Sequence, residues 1–194
     1  MTVLAVALTI LTMTGARAEP FVIDKGWTAV VFSWSHLGLT RQQARFNGIE
    51  GLVDIDTQNP ENSKVEITIR TASVQSGVDT FDRILRGPDY LDATTYPAIT
   101  FHSTAVKRTS EVTADVMGDL NIRGQSAPVT LKVTLNQFGA HPSSAANPNY
   151  AGKKVAAFSA KTLVLRSAWN MGRGAPLVSD EIEIAIETEL VSGG

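Results

Sequence analysis

Three histidines, His36, His102 and His141, are the side chains best suited to proton transfer near neutral pH or to metal binding. They lack the spacing of a metal site such as H-x-H or H-E-x-x-H, so the sequence predicts no metal site. His102 falls on the polar side of a predicted strand, and His141 falls in a predicted loop. His36 alternates in step with Phe32 and Trp34, and it should therefore point inward or towards a rim. It is either a hydrogen-bonded structural residue or a contact for a ligand headgroup.

Three arginines could recognise an anionic group. Arg166 alternates in step with Val164, and an inward guanidinium needs a carboxylate or a ligand phosphate as its partner. We interpret Arg166 as one half of a salt bridge within the protein. Arg83 and Arg86 lie on a predicted helix, where each is either solvated or in contact with an anionic headgroup.

The carboxylates are scattered, and no pair is set apart by a motif of the kind that paired-carboxylate catalysis uses. Asp54 and Asp56 share one face of a predicted strand, as do Glu181 and Glu183, and we expect both faces to be solvated. The sequence has no G-x-S-x-G motif, and the glycine-rich segment 171–174 is predicted to be a turn rather than a phosphate loop. These patterns do not indicate a catalytic site.

The composition describes one globular domain with little net charge. The 194 residues are 43% hydrophobic and 19% charged, which is typical of a folded domain with a substantial core. Lysine and arginine number 17 against 19 acidic residues, so the formal charge of -2 offers no basic excess for nucleic-acid binding. The absence of cysteine excludes disulfides, thiol catalysis and cysteine-ligated metals.

The first residues have the pattern of a secretory signal peptide. Residues 1–14 are small and apolar, and Ala16, Arg17 and Ala18 fit a small-x-small cleavage site. We therefore predict a signal peptide at residues 1–18 and an exported mature domain at residues 19–194. The alternative is a buried N-terminal helix or strand. No later segment reaches the roughly 20 apolar residues of a membrane-spanning helix, so we expect no transmembrane segment in the mature chain.

The elements that must position these side chains are mostly strands. Apolar and polar residues alternate along most of the chain, as they do in antiparallel strands with one face in water. The predicted strands, about eight in number, lie near residues 30–34, 49–56, 65–69, 99–107, 113–122, 129–135, 155–166 and 182–186. One short helical segment is predicted near residues 79–93, with Asp79 or Thr80 as its N-cap, and a flexible loop at residues 141–153.

About eight such strands can close into a barrel, which removes the sheet edges. The interior of that barrel is just wide enough for side chains or for one slender ligand. A sandwich core would use the same Val, Ile, Leu and Phe residues. Periodicity alone therefore leaves open whether the interior is filled or hollow.

Several motifs, in order along the chain, resemble those of one family. They are FVID at residues 21–24, SHLGL at 35–39, RFNGIEG at 45–51, DYLDA at 89–93 with Tyr96 and Pro97, VMGDLNIRG at 116–124, and RSAWNM at 166–171. Together they resemble the YceI-like family of periplasmic, lipocalin-like barrels that hold long apolar lipids. The chain differs from the usual pattern at a few positions, among them Ala44, Asn121 and Asn170, and these changes bear on the shape of the lumen.

The resemblance implies an all-β, eight-stranded antiparallel lipocalin-like barrel that binds, transports or stores a polyisoprenoid or similar lipid in the periplasm. It implies a carrier that is not an enzyme and that has no cofactor. Whether the protein forms a homodimer is left open. The alternatives are an enzyme acting on an isoprenoid lipid and a structural or stress-response barrel with a filled core. In a barrel the apolar sides of the strands face the lumen. We predict an apolar tunnel lined by Phe32, Trp34, Phe46, Ile67, Ile69, Phe101, Phe158 and Val164, with His36, Arg83, Tyr90 and Trp169 nearer its mouth.

Overall fold

Strands make up most of the structure, a computed structural model that describes residues 18–192. Apart from four short 3-10 turns, the described elements are one helix, α1 (Asp79–Arg86), and eleven strands. The strands are β1 (Glu19–Ile23), β2 (Ala29–His36), β3 (Thr40–Phe46), β4 (Ile49–Ile55), β5 (Lys64–Arg70), β6 (Val74–Gln75), β7 (Ala98–Arg108), β8 (Thr113–Ile122), β9 (Gln125–Ala140), β10 (Lys154–Leu165) and β11 (Glu181–Ser192).

Eight of the strands form a closed antiparallel barrel, which confirms the predicted fold class. The ring runs β1-β4-β5-β7-β8-β9-β10-β11, and it closes because β1 pairs with both β4 and β11. Strands β2, β3 and β6 continue the sheet from β11. Every pairing is antiparallel, as short connections between successive strands allow.

Three strands that were not predicted, β1, β3 and the two-residue β6, complete this architecture. Strand β1 pairs with the last residues of β11, and β2 pairs with its earlier residues, so β1 and β2 lie one after the other along the same neighbour. Strand β3 reads TRQQARF and is largely exposed, which leaves no apolar alternation to detect. The eight predicted segments all fold as strands, but β1 rather than β2 closes the ring.

Because strand direction alternates around the barrel, the connections gather at two ends. We call one the helix end; it carries the β2–β3 hairpin, α1, the β8–β9 turn and the segment from β10 to β11. The opposite end carries the β4–β5, β7–β8 and β9–β10 connections. The β9–β10 connection spans the predicted loop at residues 141–153 and contains a 3-10 turn at Pro148–Tyr150.

Helix α1 lies where the sequence predicted a helix, but it begins differently. Its N-cap is Val78, which provides no side-chain cap, so the prediction of Asp79 or Thr80 is wrong. Leu85 of α1 is buried in the apolar core of the barrel, and Phe81 of α1 is partly buried against the same cluster of side chains. No helix among residues 18–192 is long and apolar enough to cross a membrane. The predicted leader at residues 1–18 lies, apart from Ala18, outside the described residues.

Candidate functional site

The interior of the barrel contains a cavity of about 830 Å³. Its wall consists largely of Val, Ile, Leu and Phe side chains from alternate positions of the ring strands. Examples are Ile67 and Ile69 of β5, and Ile182 and Ile184 of β11. Strand residues two apart point to the same face, so the period of two in the sequence creates this apolar wall directly.

The cavity reaches from one end of the barrel to the other. At the helix end its lining includes His36, Ser76 and Tyr90, and at the opposite end it includes Thr57 and Glu111. An apolar space that runs the length of the barrel fits a flexible hydrocarbon chain better than a compact polar ligand.

Eleven of the twelve predicted site residues line this cavity. They are Phe32, Trp34, His36, Phe46, Ile67, Ile69, Tyr90, Phe101, Phe158, Val164 and Trp169. The exception is Arg83, which borders a separate shallow groove with Pro88 and Asp89 on the outside of α1. Its Nη2 donates a hydrogen bond to Thr80 Oγ1 at 3.1 Å.

Four aromatic rings form a continuous series from the middle of the lumen to the helix. Phe46 lies 5.2 Å from Phe32 between ring centroids, Phe32 lies 5.8 Å from Trp34, and Trp34 lies 5.5 Å from Phe81 of α1. Each pair is stacked within 30° of parallel. Stacking of this kind stabilises the wall beyond simple area burial and fixes α1 over it.

Two glycines in the wall make room for lumen side chains. A Cβ on Gly118 would lie 2.5 Å from the Phe101 ring, and a Cβ on Gly51 would lie 2.5 Å from Ile67 Cδ1. Gly51 pairs directly with Ile67, whereas Gly118 pairs with Ser103, two residues along β7 from Phe101. In both places the missing side chain leaves room for the larger one. The shape of the lumen around Phe101 and Ile67 therefore depends on these glycines.

A buried carboxylate holds α1 at the helix end. Asp82 Oδ1 accepts hydrogen bonds from the backbone N–H and the hydroxyl of Ser76, both at 2.6 Å. The Ser76 hydroxyl lowers the pKa of Asp82 most, burial opposes that shift, and the Ser76 N–H and Arg86 lower the pKa further. Arg86 Nη2 also donates to the Val74 carbonyl at 2.7 Å, so the helix is tied both to β6 and to Ser76, which follows that strand.

Arg166 is buried, but it does not form the salt bridge that we predicted. Its guanidinium donates to the carbonyl oxygens of Ser179 at 2.8 Å, Val178 at 2.9 Å, Arg173 at 3.0 Å, and Met171. The acceptors all lie in the segment from β10 to β11. Backbone carbonyls can solvate a guanidinium because each is a strong acceptor, and sequence patterns carry no sign of such partners.

Trp169 fixes the same segment from the other side. Only 1% of its surface is exposed, and its indole Nε1 donates to the Leu120 carbonyl of β8 at 3.1 Å. Asn170 follows with a left-handed backbone (φ 57°) and ends the 3-10 turn that contains Trp169. Trp169 therefore belongs to the core at the helix end as much as to the mouth.

The three histidines lie in different surroundings. His36 ends β2 exposed at the rim of the cavity, and His102 is exposed on the outer face of β7, as predicted. His141 is buried in the β9–β10 connection and stacks on Tyr150 with ring centroids 3.8 Å apart. Among residues 18–192, no three His, Asp or Glu side chains are grouped so that they could hold a metal ion.

Asp56, at the opposite end, departs from the solvated strand face that we predicted. It follows the last residue of β4 and is buried. Its Oδ1 accepts the backbone N–H groups of Gln58 and Asn59, and its Oδ2 accepts Asn62 Nδ2. The sequence signal was the run DTQNPEN, because Asp often accepts N–H groups two and three residues later in a turn.

Comparison with known proteins identifies the family. The sequence profile of the YceI-like domain matches residues 21–190. The chain belongs to the YceI-like family. A UPF0312 protein of Pseudomonas putida (strain W619) is 34% identical over 186 residues, which cover 95% of this chain and 93% of that protein.

Solved structures similar to this YceI-like protein share its fold. Burkholderia cenocepacia BcnA superposes with a TM-score of 0.75 at 26% identity, over 88% of this chain and 99% of that one. A polyisoprenoid binding domain from Saccharophagus degradans superposes with a TM-score of 0.65 at 12% identity, over 91% and 100% of the two chains.

Some lining residues of the YceI-like barrel escaped the sequence analysis. Phe81, Leu85 and Leu91 reach the cavity from α1 and the segment after it, and Met171 and Val178 reach it from the segment between β10 and β11. The first three were recognisable as apolar positions of a helical segment. The last two were not, because they lie in irregular structure where no period indicates the inward side.

Proposed function

We propose that this protein binds a long-chain polyisoprenoid or a similar long apolar lipid in the barrel lumen, and that it transports or stores the lipid in the periplasm without catalysing a reaction. The observation that carries the proposal is the continuous apolar cavity that reaches both ends of the barrel. The structural relative from Saccharophagus degradans, a polyisoprenoid binding domain, supports the same class of ligand. The leader pattern at residues 1–18 supports export.

The physical basis of binding would be burial of hydrocarbon. Each methylene moved from water into the lumen contributes about 0.8 kcal/mol. Ordering a flexible chain offsets part of that gain, so the net affinity falls well below the sum. An apolar wall also makes few directional contacts, and recognition of the chain should depend on length and width more than on detailed chemistry.

A barrel filled by its own side chains, which was one alternative, does not account for the cavity. One bulky substitution in the wall tests whether a lipid chain occupies the lumen. Ile69 lines the cavity, and the adjacent Thr68 points to the outer face of the same strand and is exposed. These neighbours form a matched pair, because the same new side chain enters the lumen at one position and solvent at the other.

We expect Ile69→Trp to fold and to bind a fluorescent prenyl probe at least about tenfold more weakly, whereas Thr68→Trp should bind it like the wild type. Probe titration beside thermal melting measures both properties. Native mass spectrometry of wild-type protein from the periplasmic fraction should show a bound lipid on a chain that begins near Glu19. A wild type that binds no probe and carries no lipid would refute the proposal.

A further inference from the structure

A buried positive charge borders the helix end of the cavity. Arg166 is the first residue after β10, only 4% of its surface is exposed, and it is part of the cavity lining. Its neighbours in the lining at this end, Trp169 and Met171, are also buried. The guanidinium of an arginine stays protonated at all physiological pH values.

Carbonyl oxygens among residues 18–192 solvate this charge, but no carboxylate there neutralises it. Four N–H groups of Arg166 donate to the carbonyl oxygens of Met171, Arg173, Val178 and Ser179. A guanidinium has five N–H donors, and the fifth has no acceptor among residues 18–192. No carboxylate in that part of the chain lies within 4.0 Å of the guanidinium, although six other ion pairs form there.

The remaining charges on the cavity wall lie far from Arg166. Within the described chain, the other lining residues that carry a full charge at neutral pH are Arg108 and Glu111. Both belong to the β7–β8 connection or its border, at the opposite end of the barrel. The helix end therefore offers a cation, the polar side chains of His36 and Tyr90, and no lining carboxylate.

We propose that the helix end holds an anionic oxygen headgroup, a phosphate or a carboxylate, of the lipid whose chain fills the lumen. This proposal rests on the lipid-binding function proposed above. A buried cation without a counter-ion is unfavourable, and an anionic oxygen beside it gains a charge-assisted interaction in a medium of low dielectric. The chain would then enter with its headgroup last and lie with one fixed polarity in the barrel.

The test compares two probes that share one hydrocarbon chain, geranylgeranyl monophosphate and geranylgeraniol. Each displaces a fluorescent lipid from the wild-type protein at low and at high salt. We expect the phosphate to bind at least about tenfold more tightly at low salt. Equal affinities would overturn the headgroup site and leave the lipid carrier intact, whereas failure of both probes would overturn both proposals.

Four variants test whether the preference for the phosphate depends on Arg166. Arg166→Met should bring the two probes to similar affinities, while Arg108→Met at the opposite end and Arg83→Met on the outer face should keep the wild-type ratio. A preference lost in Arg108→Met or Arg83→Met but kept in Arg166→Met would overturn the assignment. Arg166→Lys keeps the charge and should keep part of the preference. If Arg166→Met does not fold, the ratio of the two probe affinities in the wild type, in Arg166→Lys and in Arg108→Met decides whether the preference depends on Arg166.

Discussion

The two ends of the barrel each bury a charged residue directly after a strand, but they satisfy it differently. At the opposite end, the Asp56 carboxylate accepts hydrogen bonds from Gln58, Asn59 and Asn62, all within the next six residues. At the helix end, Arg166 reaches carbonyl groups up to thirteen residues away and borders the cavity. A local turn satisfies the carboxylate completely, whereas the cation depends on a long segment that also shapes the binding site.

Because of this difference, we expect changes at the two ends to affect the stability of the protein and its binding of lipid to different degrees. A defect at Asp56 should loosen one turn and change binding only a little, because Asp56 itself is not part of the lining and its turn meets the cavity only at the opposite end, through Thr57, Pro60 and Ser63. A defect at the helix end should change both properties, because Arg166, Trp169 and Leu85 are at once buried and part of the lining.

The largest effect is expected for Trp169→Ala. Trp169 is the largest fully buried side chain among residues 18–192, and its removal leaves a void beside the lumen and deletes the hydrogen bond from the indole to the Leu120 carbonyl. Large-to-small changes of this kind destabilise a protein by about 3–5 kcal/mol, and the lipid probe should bind more weakly as well. Chemical unfolding and probe titration measure the two effects.

The matched control is Trp27→Ala, since Trp27 is 63% exposed. It should change the free energy of unfolding by less than about 0.5 kcal/mol. Equal losses of stability in the two variants would show that Trp169 does not anchor the helix end.

The barrel wall could be predicted from the sequence, whereas the contacts at its two ends could be predicted only in part. Alternation at Ile67 and Ile69 reveals which side chains face inward, because a strand has only two faces. The partners of Arg166 are backbone carbonyls of an irregular segment, and these positions depend on the folded path rather than on residue type. Arg83 was misplaced for a related reason: a helix has many faces, and its docking angle selects the one that meets the cavity.

An intermediate effect is expected for Asp82→Asn, which weakens the attachment of α1 at the helix end. The amide still accepts a hydrogen bond from Ser76, but without charge, and we expect a loss of about 1 kcal/mol. Probe release should also become faster, because Phe81 and Leu85 of α1 line the cavity. Stopped-flow release and chemical unfolding measure this pair of changes.

Asp79→Asn is the control on the same helix, since Asp79 is exposed and lies in the first turn of α1. It should leave the rate of probe release at the wild-type value. A release rate unchanged in Asp82→Asn would mean that α1 does not control the mouth.

The smallest effect is expected for Asp56→Asn at the opposite end. The amide oxygen can still accept the N–H groups of Gln58 and Asn59, and only the charge and the contact with Asn62 are lost. We expect a slightly lower Tm at neutral pH and little change in probe binding. The nearby Asp54 makes no side-chain hydrogen bond or ion pair with residues 18–192, so Asp54→Asn is its control and should change neither.

The dependence of Tm on pH tests the contribution of the Asp56 carboxylate more directly. The backbone N–H of Asn59 lowers the pKa of Asp56 most, followed by the Asn62 side chain, while burial acts in the opposite direction. Since the native pKa lies below the ordinary value of 3.8, the unfolded state binds the proton first as the pH falls. The stabilisation is therefore complete above the unfolded pKa and is lost as the pH falls through the native one. In Asp56→Asn the fall of Tm with acid should be shallower than in the wild type and in Asp54→Asn. An identical fall in all three proteins would show that the carboxylate of Asp56 contributes nothing to the opposite end, and the proposed contrast between the two ends would then fail.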